Sequence, residues 1–299
     1  MTIPVFEEPT DFGDVKFPAA LVLVTNACNL RCQHCFVYRE ETPNESRDRM
    51  SDGNMLYQLR RLRDKHDIRS MLFMGGEPMI KSALVFEAMQ LFEQSAIVTN
   101  GTYGIPSLPG RLVTVSLDGP KELNDQIRGE GVFEKVKQAI YEHNLKDDTT
   151  VMLQMTVTKK NAGSMEQFVD EVEQWPVSGI AFTFYVPGKD EKSEFAWDNL
   201  VQRDDVISTL LQLKRRHPMI KSNVGALRMM FSDKALTATG AAGENCSLKR
   251  MLPLYVGEGG RFERTFCCYG NDVDCSRCGA YAVFNSAFKR DRGEGVHGA

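Results

Sequence analysis

The chain has 299 residues, 42% of them hydrophobic and 25% charged, proportions of an ordinary globular protein with length for one large domain or a domain with an appendage. A net charge of −4 and a pI of about 5.8 exclude the basic field on which nucleic-acid binding depends. No apolar run approaches the ~20 residues of a membrane-spanning helix and no signal peptide opens the sequence, so the expected location is cytoplasmic.

Residues 1–17 show no sustained periodicity and read as a weakly ordered N-terminal extension. The run Ala20-Leu21-Val22-Leu23-Val24 starts a first strand at 20–25, and the loop after it carries Cys28, Cys32 and Cys35. After Ser51, Met55, Leu56, Leu59 and Leu62 recur at helical spacing; after a second strand at 70–74 and Ser82, so do Leu84, Val85, Ala88, Met89 and Phe92. Further strands are predicted at 95–99, 111–117, 150–157 and 179–185. Ser164 reads as the N-cap of a helix bearing Phe168, Val169 and Val172, and Gly179 marks re-entry into a strand. A helix at about 198–216, stopped by His217-Pro218, and another at about 223–236 lead into a second cysteine region, and 289–299 reads as a flexible tail. The clusters Arg60, Arg61, Arg63 and Lys214, Arg215, Arg216 lie on helical patterns and read as solvated faces.

Six strands alternating with helices define an α/β chain of parallel βαβ units with right-handed crossovers. A closed eightfold barrel takes about 250 residues. Here the repeats end near residue 190, so a partial (β/α)6 TIM-type barrel is expected over 18–195, then a helical connection at 196–239 and a small cysteine-bearing domain at 240–288. Working loops of such folds lie at the C-terminal ends of the strands, where Cys28–Cys35 falls.

Eight cysteines without an export signal argue against a disulfide framework. Three fall at 28–35 and five at 246–278, which reads as two separate sites. The first has the spacing Cys28-x3-Cys32-x2-Cys35 followed by Phe36. A cubane [4Fe–4S] cluster normally takes four thiolates, so a loop of three leaves one iron open to a second molecule. A tetrahedral zinc site using His34, or unrelated thiols, are the alternatives. Strand two ends in Gly75-Gly76-Glu77-Pro78, where glycines admit close backbone approach and Glu77 adds a carboxylate suited to an ammonium group; a plain turn is the alternative. Thr99-Asn100-Gly101 and Ser116-Leu117-Asp118-Gly119 end strands three and four, each also readable as a turn dipeptide. Gln154 and Thr156 share a face of strand five, and Thr183 and Tyr185 belong to strand six, where closing the barrel end competes with a cofactor or substrate role. The scattered histidines His34, His66, His143, His217 and His297 read as structural or solvated.

The three-cysteine loop, Gly75–Pro78 and the stretch Ser-Leu-Asp-Gly-Pro-x4-Asp-x2-Arg-Gly over 116–129 together resemble the radical S-adenosylmethionine (SAM) superfamily, in its subgroup with C-terminal SPASM or Twitch extensions. The likeness implies that Cys28, Cys32 and Cys35 are the catalytic cluster ligands, and that Gly75, Gly76, Glu77 and Pro78 receive the methionine amino group. It implies that Ser116 meets the SAM ribose or carboxylate, that Arg128 pairs with the carboxylate through its planar fork, and that Phe36, Thr99, Asn100, Gln154 and Tyr185 line the cofactor site. Cys246-x20-Cys267-Cys268-x6-Cys275-x2-Cys278 resembles a Twitch domain holding an auxiliary [4Fe–4S] cluster through Cys246, Cys267, Cys275 and Cys278, with Cys268 spare or replacing Cys267 and structural zinc as the alternative.

The resemblance implies two clusters, SAM, an external one-electron reductant such as flavodoxin or ferredoxin, and an oxidoreductase or transferase that cleaves SAM reductively to abstract hydrogen from substrate. Only 1–17 precedes the first strand, short of the leader-binding domain of peptide-modifying relatives, so a small-molecule substrate is expected. A peptide maturase, adenosyl transfer to a terpenoid or lipid, and a non-enzymatic iron–sulfur electron carrier are the alternatives. Asp118, Tyr185 and Tyr269 are the candidate bases.

Overall fold

The computed structural model describes residues 6–38, 49–144, 147–267, 270 and 272–293; Cys268, Tyr269, His297 and 294–299 lie outside them. The six predicted strands form as β1 (Ala19–Leu23), β2 (Ser70–Met74), β3 (Gln94–Thr99), β4 (Leu112–Ser116), β5 (Thr150–Val157) and β6 (Gly179–Phe184). Each pairs in parallel with its sequence neighbour, as βαβ crossovers require. Two strands that the sequence pattern did not indicate, β7 (Leu252–Val256) and β8 (Phe262–Arg264), extend the sheet, giving the open order β6-β5-β4-β3-β2-β1-β7-β8. β7 runs parallel to β1, with Leu21 opposite Pro253, and β8 returns antiparallel to β7. A proline at its second position, Pro253, disguises β7 in the sequence. Within 240–288, β7 and β8 thus extend the barrel sheet beside β1.

Alternation sorts the strands into two faces. Val22, Phe73, Ile97, Val115, Leu153 and Phe182 are fully buried against the surrounding helices, each contributing about 1.5–3 kcal/mol by leaving water. The opposite face is half-buried and turns polar from β4 onward: Leu23, Met74 and Val98 give way to Ser116, Gln154 and Thr156. Ser116 pairs directly with Gln154.

The helices follow the apolar periodicity, with local differences. Helix α1 (Asp52–His66) starts at Ser51, whose side chain accepts from Asn54 N at 3.3 Å. Helix α2 (Ser82–Met89) begins at Ser82 itself and ends before Phe92. Helices α3 (Lys121–Arg128) and α4 (Val132–His143) share the β4–β5 crossover. Ser164 precedes α5 (Met165–Val172), but its hydroxyl donates to Asn161 O at 2.8 Å instead of capping. Helix α6 (Asp204–Arg216) starts later than predicted, after a 3-10 turn at Val201–Arg203, and stops at extended His217 before Pro218. The single helix expected at 223–236 is two, α7 (Val224–Met229) and α8 (Ala235–Thr239). Helix α9 (Tyr281–Asp291) continues through residues assigned to the flexible tail. Near the other terminus Phe17 is buried, so the extension is anchored at its end.

The outer edge of β6 is covered. Ile180 N donates to Met219 O at 2.8 Å, Phe182 N to Ser222 Oγ at 3.0 Å, and Phe184 N to Gly279 O at 2.9 Å. The C-terminal segment thus adds strands beside β1 and seals the edge at β6. Replacing Ser51 by Ala is expected to lower unfolding stability by about 1 kcal/mol through the lost cap, read as a shifted urea midpoint with an unchanged slope.

Candidate active site

The cysteine loop is clamped by backbone before any side chain acts. Gly76 N donates to Thr25 O at 2.7 Å and Glu77 N to Ala27 O at 2.8 Å, so the turn after β2 lies flat against the turn after β1. A Cβ on Gly75 would stand 2.5 Å from Thr25 O, and one on Gly76 2.3 Å from Ala27 O. The paired glycines answer this close approach of two chain segments. Further along, Gln33 N donates to Ile127 O at 2.9 Å and Cys35 N to Cys32 O at 3.1 Å. Arg31 donates to Cys28 O and Leu30 O at 2.8 and 2.7 Å, and its guanidinium stacks 4.7 Å over Tyr38. Phe36 is half-buried within the same loop.

Glu77 has no exposed surface. Its carboxylate accepts from Met79 N at 2.9 Å, Thr99 Oγ1 at 2.8 Å and Asn100 N at 2.7 Å, bridging the ends of β2 and β3. Burial pushes its carboxyl above the ordinary value against the pull of these donors. Glu77, which the resemblance places at the methionine amino group, is bonded here by the protein's own donors, and Pro78 behind it is buried at the start of a 3-10 turn. Thr99 supports Glu77, and Asn100 reaches the cysteine loop, with Nδ2 2.9 Å from Asn29 Oδ1 and 3.9 Å from Cys28 Sγ.

A second buried carboxylate organises the other side. Asp118 Oδ2 lies 2.7 Å from His34 Nε2 and 2.6 Å from Arg128 Nε, while Oδ1 accepts from Thr156 N at 2.9 Å. The Arg128 contact is ionic and off the N–H axis. Asn124 Oδ1 accepts from Asp118 N at 3.0 Å, and Asn161 Nδ2 donates to Asp118 O at 2.9 Å. Burial alone would raise the Asp118 carboxyl; Arg128 and His34 outweigh it and hold it well below the usual carboxylate range. Asp118 thus ties the cysteine loop to α3 and β5, and Arg128, which the resemblance assigns to a ligand carboxylate, pairs with Asp118 here. His34, set aside in the sequence as structural or solvated, fastens the cysteine loop and stacks near Tyr185 and Phe195. Tyr185 donates to Glu191 Oε1 at 3.0 Å. Neither Asn161 nor Glu191 carried a motif that would single it out.

His34 Nε2 is engaged by Asp118. Burial pushes the Cys32 thiol up to about 12 against the opposing charge of Arg128, and it raises Cys28. Among the described residues no fourth ligand joins the three thiols, which fits a cluster with an open iron better than a tetrahedral ion.

At the edge of β6, Cys246, Cys267, Cys275 and Cys278 line one pocket with Leu248, Phe266 and Val283. Asp274 shapes the Cys275–Cys278 turn, accepting from Ser276 N at 2.9 Å and pairing with Arg277 Nε at 2.6 Å. Arg277 also donates to Glu191 O and Trp197 O at 2.9 and 3.1 Å. Burial and neighbouring thiols raise Cys275 to about 11, and burial raises Cys278 to about 12. Among the described residues, no three His, Cys, Asp or Glu side chains converge as ligands of a single ion. Four thiols around one pocket match the donor set of a cluster. Behind Cys278 lies Arg203, 1% exposed, whose own pKa burial lowers to about 10.

The family model of the radical SAM superfamily matches residues 22–172, just over half of the chain, and the chain belongs to that superfamily. Members bind SAM and a [4Fe–4S] cluster. The chain is similar to the Fe-coproporphyrin III synthase of Methanosarcina barkeri (29% identity over 185 residues, 57% of this chain and 45% of that protein). It is also similar to the mycofactocin maturase MftC of Mycolicibacterium smegmatis (26% over 156 residues, 48% and 39%). The chain thus spans less than half the length of these curated relatives. Its fold resembles that of anSMEcpe with bound AdoMet, with a TM-score of 0.60 at 19% identity, covering 92% of this chain and 83% of that one. No helix among the described residues is long and apolar enough to cross a membrane.

Asp118→Asn keeps the shape and removes the charge facing Arg128 and His34. A buried ion pair broken at one partner costs about 3–5 kcal/mol, to be read by urea unfolding. The folded carboxyl titrates below its unfolded value of about 3.9. Its contribution is therefore complete above that pH and lost as pH falls toward the folded pKa, so the acid limb below about pH 4 is expected to flatten in the variant. Equal acid sensitivity in both proteins would contradict the tether.

Proposed function

We propose that the chain is a radical SAM enzyme with two iron–sulfur sites, abstracting hydrogen from a small molecule held between the cysteine loop and the C-terminal cysteine set. The observation that carries the reading is the loop of three thiols whose nearest histidine is held by Asp118. Cys28, Cys32 and Cys35 would hold the cluster that chelates SAM. When bound, cluster and SAM supply a one-electron S–C cleavage and a 5′-deoxyadenosyl radical that takes hydrogen from substrate.

The chain's own residues orient and shield that chemistry. Arg128, beside Cys32, offsets the charge of the thiolates, and Asn100 Nδ2 faces Cys28 Sγ. Ser116, Gln154 and Thr156 present polar side chains on the half-buried inner face, suited to hydroxyl and carboxylate groups of SAM. The backbone of Gly75 and Gly76, pressed against the cysteine loop, is the remaining rim of that face. The stretch after β6 folds back over the loop, with Phe195 against His34 and Lys160 reaching both Gln33 and Glu194, and so narrows access for water and oxygen. That cover over the loop supports a small substrate. A peptide substrate is the second reading, favoured by the likeness to MftC.

Cys246, Cys267, Cys275 and Cys278 would hold an auxiliary [4Fe–4S] cluster, beside the end of β6 and Tyr185. An external one-electron donor such as flavodoxin or ferredoxin would feed the centre. Anaerobically reconstituted protein given SAM and dithionite is expected to form 5′-deoxyadenosine, and Cys28→Ala to form none while keeping the C-terminal iron. Full cleavage by Cys28→Ala would sink the catalytic assignment. Cys275→Ala is expected to lower bound iron by about one cluster; unchanged iron with zinc present would favour a structural ion. Deuterium transfer into 5′-deoxyadenosine from the low-molecular-mass fraction of labelled extract supports a small substrate, and transfer abolished by protease treatment supports a peptide.

A further inference from the structure

Arg203 is a deeply buried cation that pairs with no carboxylate among the described residues. It sits on the 3-10 turn Val201–Arg203 with 1% of its surface exposed. Nη1 donates to Cys278 O at 2.6 Å and Nη2 to Met230 O at 2.9 Å, while Nε has no partner. Both acceptors are neutral carbonyls, and the guanidinium lies 5.8 Å over the ring of Phe184. Arg203 makes no ion pair among the described residues. The adjacent carboxylate, Asp204, is turned to Ser232, accepting from its N at 2.9 Å and its Oγ at 2.5 Å. Arg277, the other arginine nearby, has Asp274 at 2.6 Å. A charge this deep is expensive unless an opposite charge faces it. What lies beside it is Cys278, one of the four thiols lining the C-terminal pocket.

We propose that Arg203 is the built-in counter-charge of an iron–sulfur cluster held by Cys246, Cys267, Cys275 and Cys278, and that it raises the reduction potential of that cluster. The inference rests on the reading that these four cysteines hold a cluster. Four thiolates make such a centre net anionic, and reduction adds another negative charge. A fixed guanidinium held against the Cys278 backbone favours the reduced state most, because net charge and hydrogen bonding around the sulfurs set cluster potentials. Arg203 is thus a positioning residue, acting through Cys278 and through its field.

The test uses the full chain carrying Cys28→Ala, Cys32→Ala and Cys35→Ala, in which any remaining cluster belongs to the C-terminal set. Iron and sulfide analysis comes first: a protein without iron there overturns the cluster reading, and the role of Arg203 with it. Where the cluster is present, redox titration followed by electron paramagnetic resonance compares Arg203 with Arg203→Met and Arg203→Lys. Arg203→Met is expected to lower the ratio of reduced to oxidised cluster at a fixed potential about tenfold, equal to about 59 mV for one electron. Arg203→Lys is expected to stay within about threefold of the parent. A wild-type ratio in Arg203→Met refutes the proposal while leaving the cluster reading intact. If Arg203→Met fails to fold, Arg203→Lys decides: retention of cluster and potential supports a requirement for charge. Loss of either shows that hydrogen-bond geometry is what the position needs, and overturns the inference.

Discussion

Asp118 is a carboxylate with no exposed surface that touches four elements at once. It stands just past the end of β4, takes the backbone N–H of Thr156 from β5, holds Arg128 from α3, and holds His34 from the cysteine loop. Ionised carboxylates are rarely left in such a place, because desolvation is costly unless charge and hydrogen bonds compensate together. Here they do, and the consequence is positional. The loop bearing Cys28, Cys32 and Cys35 is tied to the rim of the sheet by a charged contact in a low-dielectric setting, where that contact is strong.

Glu77 performs the matching task on the opposite side of the loop. Its three donors come from the turn after β2 and from the end of β3, and its backbone N–H reaches Ala27 in the cysteine loop. The loop is therefore held between two buried acids, one whose pKa burial raises and one whose pKa Arg128 and His34 hold down. Three half-buried thiols result, on a frame that has little freedom to collapse around a missing fourth ligand. Preorganisation of this kind is what a reactive centre requires, since donors that must move to reach their ligand lose affinity and precision.

The C-terminal cysteine set depends on the same sheet. Strands β7 and β8 lengthen it beside β1, while Gly279 and Tyr281 bond to β6 at its far edge. A Cβ on Gly279 would stand 2.3 Å from Tyr185 O, so the turn that follows Cys278 is pressed onto the end of β6. Tyr185 and Phe195 lie between this turn and His34. The two cysteine sets thus share one wall of the barrel, and the distance between them is governed by packing and not by a linker.

The six parallel strands and both cysteine spacings were legible in the chain because each is local: apolar runs of strand length, and thiols separated by a few residues. Membership of the radical SAM superfamily followed from the same local motifs. Strand β7 was not legible, since Pro253 breaks its pattern and its partner β1 lies more than two hundred residues earlier. The direction of side chains was also beyond sequence reasoning. Glu77 and Arg128 stand at motif positions that suggest ligand contact, and folding also brings Glu77 donors from β3 and Arg128 the Asp118 carboxylate. The sequence by itself determined which chemistry the cysteines can support and which strands carry them. Tertiary structure alone decided which charges are paired and which, like that of Arg203, meet no carboxylate among the described residues, because burial and pairing are properties of neighbours brought together only by the fold.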